Sequence, residues 1–134
     1  MHDLGTLGGS SYAVALNDRG HVVGWSSLAG DTISHAVSWT KAGGMLDLGT
    51  LGGTQSTSIA VTVCGQVVGT SDLSGDAASH AFLWTKSGGM VDLGTLGGTQ
   101  SAPLGVSSTG LVVGTSTLAQ GDTHAVVWTT RPCR

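Results

Sequence analysis

The sequence predicts an all-β fold made of three repeats of about 45 residues, each with four short strands. The first observation is composition: the 134 residues include 23 Gly, no Glu and only five Lys and Arg together, so residues that favour helices are scarce. The second is that DLGTLGG occurs at residues 3–9, 47–53 and 92–98. The third is a series of short β-rich runs bounded by Gly, Asp and Ser.

The repeats span residues 1–44, 45–89 and 90–134, and together they form a single domain, residues 1–134. After DLGTLGG, every repeat continues with Gly-x-Val-Val-Gly-x-Ser, a Gly-Asp pair and His-Ala-x-x-Trp-Thr. A constant order of motifs at a fixed period is typical of repeat architectures, in which each unit buries its apolar surface against its neighbours.

The second repeat shows the predicted elements most clearly. Its strands are Met45–Leu51, Thr57–Val63, Gln66–Ser71 and His80–Thr85. We interpret DLGTLGG as a strand followed by a glycine hinge that carries the chain to the next sheet, because Gly permits the required backbone angles and close approach. The same elements in the other repeats bring the expected number of strands to twelve.

The fourth strand is apolar on both faces. Alternation places His80, Phe82 and Trp84 on one face and Ala81 and Leu83 on the other. Strands of this kind lie between two other sheets, as in the stacked blades of a β-propeller, which typically has 4 to 8 blades. Three repeats are too few for such a ring, whereas two chains supply six. The sequence therefore predicts a propeller-like, six-bladed ring formed by a homodimer.

The alternative fold is a monomer with three-fold symmetry, such as a small propeller, a β-trefoil or a β-prism. In either case the first DLGTL strand would complete the last blade, within one chain or on its partner, and so remove an open sheet edge.

The motifs resemble those of the HAF repeat family, whose His-Ala-Phe signature is present here as His80-Ala81-Phe82. The other two repeats read His35-Ala36-Val37 and His124-Ala125-Val126 at this position. The resemblance covers nearly the whole chain. It implies propeller-like blades and an extracellular or cell-surface location, and it implies no defined activity.

The recurring histidines are the first candidate site. They are His35, His80 and His124. Three His side chains on a common axis can form an open zinc site. The interpretation we favour is structural: each His hydrogen-bonds the loop before its strand. The expected partners are then the aspartates of the Gly-Asp pairs, Asp31, Asp76 and Asp122.

The tryptophans and the DLGTLGG aspartates give further candidates. Strict recurrence favours packing between blades over sugar stacking for three indoles, Trp39, Trp84 and Trp128. Trp25 has no counterpart in the other repeats and is therefore the better ligand candidate. The motif aspartates either cap a turn, which we favour, or bind Ca²⁺, which takes 6–8 oxygen ligands. They are Asp3, Asp47 and Asp92.

Near-identical repeats offer the same few groups three times, whereas enzyme sites combine different residues. The sequence therefore predicts a non-enzymatic structural or binding module with equivalent surfaces in each repeat and without a metal or cofactor. A lectin-like protein with multivalent carbohydrate sites is the alternative. A metal-dependent hydrolase is less favoured.

The charge pattern limits the partners. The net charge is −3 and the five cationic residues are scattered, so a nucleic-acid partner is not expected. No apolar run approaches the ~20 residues of a membrane helix. The expected partners are a second copy of the chain and a glycan or protein ligand. Cys64 and Cys133 are expected to be unpaired thiols.

Overall fold

The structure is a computed structural model that describes residues 1–30 and 32–132. These residues form eleven strands and no helix, so the predicted all-β class is confirmed. The strands are β1 (Gly8–Leu16), β2 (Val22–Leu28), β3 (Ser34–Thr40), β4 (Gly44–Gly49), β5 (Gly52–Val61), β6 (Val67–Leu73), β7 (Ser79–Thr85), β8 (Gly89–Asp92), β9 (Gly97–Val106), β10 (Leu111–Leu118) and β11 (Thr123–Thr129).

The strands form three antiparallel modules. Module 1 is β1–β4, module 2 is β5–β8 and module 3 is β9–β11, and in each the strands pair in chain order. A single parallel bridge between Ser79 and Gln100 joins modules 2 and 3 into one seven-stranded sheet. Neither this sheet nor the four-stranded sheet is closed. Val113 and Val127 of the last module are 46% and 61% exposed, so module 1 does not cover them as a closed three-fold monomer would require.

The modules are out of phase with the sequence repeats. The outer strand of module 1, β4, belongs to the second repeat, and the chain passes from its end at Gly49 to the start of β5 at Gly52 in the other sheet. The predicted role of DLGTLGG as strand plus hinge is therefore confirmed at this crossover. Gly49 and Gly52 both have positive φ angles, 81° and 115°, which a residue with a side chain adopts at a cost.

The twelfth expected strand is not formed. Residues 1–6 are outside the strands, and Leu7 makes only an isolated bridge to Leu28. The physical reason is that the modules are out of phase with the repeats. Residues 1–6 correspond to the outer strand of a preceding module, and within the described residues no module precedes them. Module 3 correspondingly has three strands instead of four.

Every module presents two apolar faces. The face that carries Trp39, Trp84 or Trp128 is called the tryptophan face, and the face that carries Ala36, Ala81 or Ala125 is called the alanine face. In β7 both faces are buried: Phe82 belongs to the tryptophan face and is 0% exposed, while Leu83 belongs to the alanine face and is 9% exposed. The prediction of a strand that is apolar and covered on both sides is confirmed here.

Modules pack in a constant direction. The alanine face of module 1, with Val23 and Ala36, covers the tryptophan face of module 2, with Val67 and Phe82. The alanine face of module 2, with Val68 and Leu83, in turn covers Val112 on the tryptophan face of module 3. The buried core of the protein lies at these two interfaces. Burial of a side chain such as Phe82 contributes about 1.5–3 kcal/mol to the free energy of folding.

Cys64 corrects one expectation. It lies in the turn between β5 and β6 and is disulfide-bonded, so the prediction of an unpaired thiol is wrong for this residue. The sequence separates the two cysteines by many residues and therefore gave no distance on which to judge a pairing. Cys133 lies outside the described residues.

The second glycine of Gly-x-Val-Val-Gly-x-Ser sets the spacing inside each module. A Cβ at Gly69 would collide with the Thr57 carbonyl oxygen and lie 2.8 Å from the Phe82 ring. Gly24 and Gly114 face the carbonyl oxygens of Tyr12 and Ala102 in the same way. The motif therefore needs Gly here for close approach of the backbone.

Gly69→Ala is expected to lower the free energy of unfolding by about 2 kcal/mol or more, because the new methyl group forces the strands apart. Gly105→Ala is the matched control, since its Cβ would meet only Val113 at 3.8 Å. Urea unfolding of both variants checks the prediction. Equal losses in the two variants would contradict it.

Candidate functional site

In modules 1 and 2 the motif histidine contacts the carboxylate of the motif aspartate. His35 Nδ1 lies 2.9 and 3.0 Å from the carboxylate oxygens of Asp47, and His80 Nδ1 lies 2.8 and 3.0 Å from those of Asp92. The predicted structural histidine is therefore found in modules 1 and 2. Each pair ties the third strand of its module to the outer strand.

The expected partners of these histidines were wrong. The cause is register: β7 pairs with β8 so that Phe82 is opposite Asp92, which makes His80 and Asp92 diagonal neighbours. Asp76 instead accepts hydrogen bonds from Thr54, at 2.8 Å from its N–H and 2.9 Å from its hydroxyl. Asp122 accepts the Leu118 N–H with its backbone carbonyl at 2.8 Å. Asp31 lies outside the described residues.

The DLGTLGG aspartates cap the crossover, as favoured from the sequence. Asp47 accepts the Gly49 N–H at 2.8 Å, and Asp92 accepts that of Gly94 at 2.7 Å. Asp3 accepts the Gly5 N–H at 2.9 Å. Among residues 1–30 and 32–132, no three His, Cys, Asp or Glu side chains are close enough together to hold a metal ion.

The tryptophans occupy two kinds of position. Trp84 packs against the core between modules 1 and 2, and Trp128 packs against the core between modules 2 and 3, so packing between modules is confirmed for both. Trp39 lines the face of module 1 that no other module covers among the described residues, and the centroid of the His2 ring lies 5.8 Å from that of Trp39. Trp25 is half-buried and stacks on Tyr12 at 4.2 Å with an interplanar angle of 24°.

A recurring serine links neighbouring modules, and sequence reasoning missed this role. The Ser56 hydroxyl donates to the Gly49 carbonyl at 2.6 Å and accepts the Ala36 N–H at 2.7 Å. Ser101 makes the same two bonds to Gly94 and Ala81, each at 2.8 Å. The recurrence of Ser after DLGTLGG was the available signal, but the two partners are distant in sequence.

A groove opens between modules 1 and 2. Its volume is about 400 Å³, and Thr40, Leu46, Trp84 and Lys86 are among the residues that line it. His21 lies at one side, where the Asn17 amide nitrogen is 3.1 Å from its Nδ1 and donates to the Thr62 carbonyl at 2.8 Å. These contacts hold the imidazole in place.

A second groove lies between modules 2 and 3 and uses equivalent positions. Its volume is about 780 Å³, and it is lined by Thr85 and Val91, the counterparts of Thr40 and Leu46. Lys86 and Arg131 add positive charge. Lys86 therefore contributes to both grooves, and the repeat architecture generates the same apolar and hydroxyl-bearing wall twice.

Asp72 has a perturbed pKa. Burial raises the pKa of this carboxyl above its ordinary value of 3.8, the nearby Asp76 charge raises it further, and a hydrogen bond from Ser79 partly opposes both. The other repeats have Ser27 and Thr117 at this position, so the carboxylate is specific to module 2.

Because its pKa is raised in the folded state, Asp72 favours folding most at low pH, and this contribution is lost as the pH rises through the folded-state value. We expect Asp72→Asn to match the parent below pH 3.8 and to be more stable at pH 7, by about 0.5 kcal/mol or less because solvent screens the charge. Urea unfolding at both pH values tests this, with Asp18→Asn as control. An equal difference at both pH values would rule the explanation out.

The Asp92 carboxylate supports β8 through both the His80 pair and the Gly94 cap. We expect Asp92→Ala to lower the free energy of unfolding by about 1–2 kcal/mol, since two hydrogen bonds to a partly exposed carboxylate are lost. Asp18→Ala, in an exposed turn, is expected to change it by about 0.5 kcal/mol or less. Thermal unfolding measures both, and similar effects would argue against the structural role.

Comparison with protein-family models, with curated proteins and with solved structures finds no match for this chain. The resemblance to the HAF repeat therefore rests on the motif residues alone. None of the described residues belongs to a helix that could span a membrane.

Proposed function

We propose that the chain is a non-enzymatic structural and binding module, a propeller-type scaffold in which the three modules are blades. The observation that carries this proposal is the pair of grooves built from equivalent repeat positions on either side of module 2. Repetition of one surface suits multivalent binding, in which weak sites on one scaffold combine into avidity.

The arrangement of polar groups supports binding over catalysis. In modules 1 and 2 the recurring side chains with acid–base chemistry are engaged in holding the fold: His80, for example, pairs with Asp92, which also caps Gly94. Catalytic sites bring together different residues with distinct roles. The grooves instead combine hydroxyl groups, apolar walls and the Lys86 ammonium group, which is a set suited to recognition.

A lectin-like function is the second candidate, and the first groove favours it. Trp84 contributes an indole to this groove together with the Thr40 hydroxyl and the Lys86 ammonium group. An aromatic ring face offers apolar area to a sugar ring, and neighbouring hydroxyl and ammonium groups donate hydrogen bonds to its oxygens.

The proposed assembly is a six-bladed ring of two copies. One copy supplies three blades, which is below the usual range of 4 to 8, two copies supply six, and three would supply nine. The proposed location is extracellular or at the cell surface. The disulfide at Cys64 supports it, because such bonds persist in oxidising compartments.

A glycan array with neutral and acidic oligosaccharides tests the groove. If the grooves bind glycans, Lys86→Glu is expected to weaken binding at least tenfold, because it replaces a donor in both grooves with an acceptor. Lys41→Glu is the matched control, since Lys41 holds the equivalent position in the first repeat and lines neither groove.

Binding that both variants retain would place the sugar site elsewhere, and an array without binding would leave a scaffold for other ligands. Hydrolytic turnover that a chelator abolishes would contradict the non-enzymatic proposal. Metal analysis of the purified chain accompanies that assay.

A further inference from the structure

The alanine face of module 3 is apolar and uncovered. Val113 is 46% exposed and Val127 is 61% exposed. Their counterparts in module 2, Val68 and Leu83, are 0% and 9% exposed because module 3 covers them. The two modules thus carry the same kind of face, and only the presence of a following module distinguishes their burial.

The tryptophan face of module 1 is the complementary surface. Val22, Val37, Trp39 and Met45 surround a small pocket there, and Leu4 extends into the same lining. On module 2 the corresponding residues are packed against module 1, and Leu48, the counterpart of Leu4, is 7% exposed in that core. Within the described residues no other module packs against either face, although Val37 on the tryptophan face is 4% exposed, and the internal interfaces of the chain show how the two kinds of face fit.

The two ends of the chain are also complementary in their strands. Module 3 has no outer strand on β11 within the described residues, whereas modules 1 and 2 have β4 and β8. Residues 1–3 correspond to 45–47 of β4 and 90–92 of β8, yet they pair with no strand. Within the described residues, module 3 therefore lacks an outer strand, and residues 1–3, which correspond to an outer strand, have no module to pair with.

The N-terminal segment is already held in the shape of a crossover. Asp3 caps Gly5 at 2.9 Å, and the Ser11 hydroxyl donates to the Gly5 carbonyl at 2.7 Å. The Leu7 N–H donates to the Ser26 hydroxyl at 2.8 Å, as the Leu51 N–H does to that of Ser71 at 2.7 Å. Module 1 thus positions residues 1–5 where the outer strand of a preceding module would lie.

We propose that a second copy of this chain completes the structure head to tail, with residues 1–3 of one copy forming the outer strand on β11 of the other. This assignment rests on the propeller-type scaffold proposed above and specifies its seam. By equivalence with Phe82 and Asp92, Asp3 lies opposite the second copy's Val126. Trp39 covers the second copy's Val113 and Val127.

Two polar contacts complete the seam. Asp3 pairs with the second copy's His124, as Asp92 pairs with His80 at 2.8 Å. The Ser11 hydroxyl accepts the N–H of the second copy's Ala125, as Ser56 accepts that of Ala36 at 2.7 Å. His124 and Ala125 are both exposed in the single chain, in contrast to their counterparts in β7. Because the two surfaces differ, the contact is heterologous, and two copies close a ring with two identical seams.

Native mass spectrometry and light scattering test the seam on the 134-residue chain. The parent is expected at twice its 13.3 kDa chain mass. Val127→Lys is expected to shift it to the monomer, because an ammonium group would be buried against Trp39 at both seams. Val91→Lys is the matched control: Val91 is 49% exposed on an edge strand outside the seam, and its variant is expected to remain a dimer.

A double-mutant cycle tests the register. Asp3→Ala and His124→Ala are each expected to weaken dimerisation at least tenfold, and the double variant is expected to be no weaker than either single variant, because both remove one contact. Additive losses would overturn the Asp3–His124 pairing. Retention of the fold in each variant is checked by circular dichroism and by the unfolding temperature.

The outcomes separate the seam from the scaffold. A parent that is monomeric at all concentrations overturns the seam and the six-bladed ring, while groove binding is judged by the glycan array. A dimer that survives Val127→Lys overturns the seam and leaves a scaffold that dimerises through another surface.

Discussion

The constraint on which this structure depends is that each module is apolar on both faces. A sheet with one apolar face is satisfied by a single neighbour, but β7 needs one on each side, and it has them in modules 1 and 3. Packing must therefore continue from module to module in one direction. Inside each module the glycine of the central strand keeps the strands close together, because Gly69 lets the Thr57 carbonyl and the Phe82 ring approach closely.

Hydrogen bonds at the crossover between modules hold the packed modules together. The Asp47 carboxylate caps Gly49 and pairs with His35, while Ser56 joins the Gly49 carbonyl to the Ala36 N–H. One short segment thus connects the outer strand of a module, its third strand and the first strand of the next module. Hydrogen bonds that are individually worth about 1 kcal/mol therefore join neighbouring modules at this segment.

The local elements were predictable because their signals are local. DLGTLGG predicted a strand and a hinge, and the alternation in β7 predicted burial on both faces, with Phe82 and Leu83 on opposite sides. The histidine partner was not predictable, because it depends on a cross-strand register that brings Asp92 diagonal to His80. The disulfide of Cys64 and the role of Ser56 between modules likewise depend on contacts between segments that are distant in sequence.

Because the modules are out of phase with the repeats, the two ends of the array of modules differ in structure. A repeat that coincided with a module would leave two complete sheets at the ends, and only apolar faces would be available for association. Here the outer strands of modules 1 and 2 are supplied by the following repeat and module 3 has none within the described residues, so the ends differ by a strand as well as by a face. Association through such ends combines backbone pairing with side-chain packing. The backbone pairing fixes the register, which apolar faces alone leave free, and it covers an edge on which strands of other chains would otherwise add.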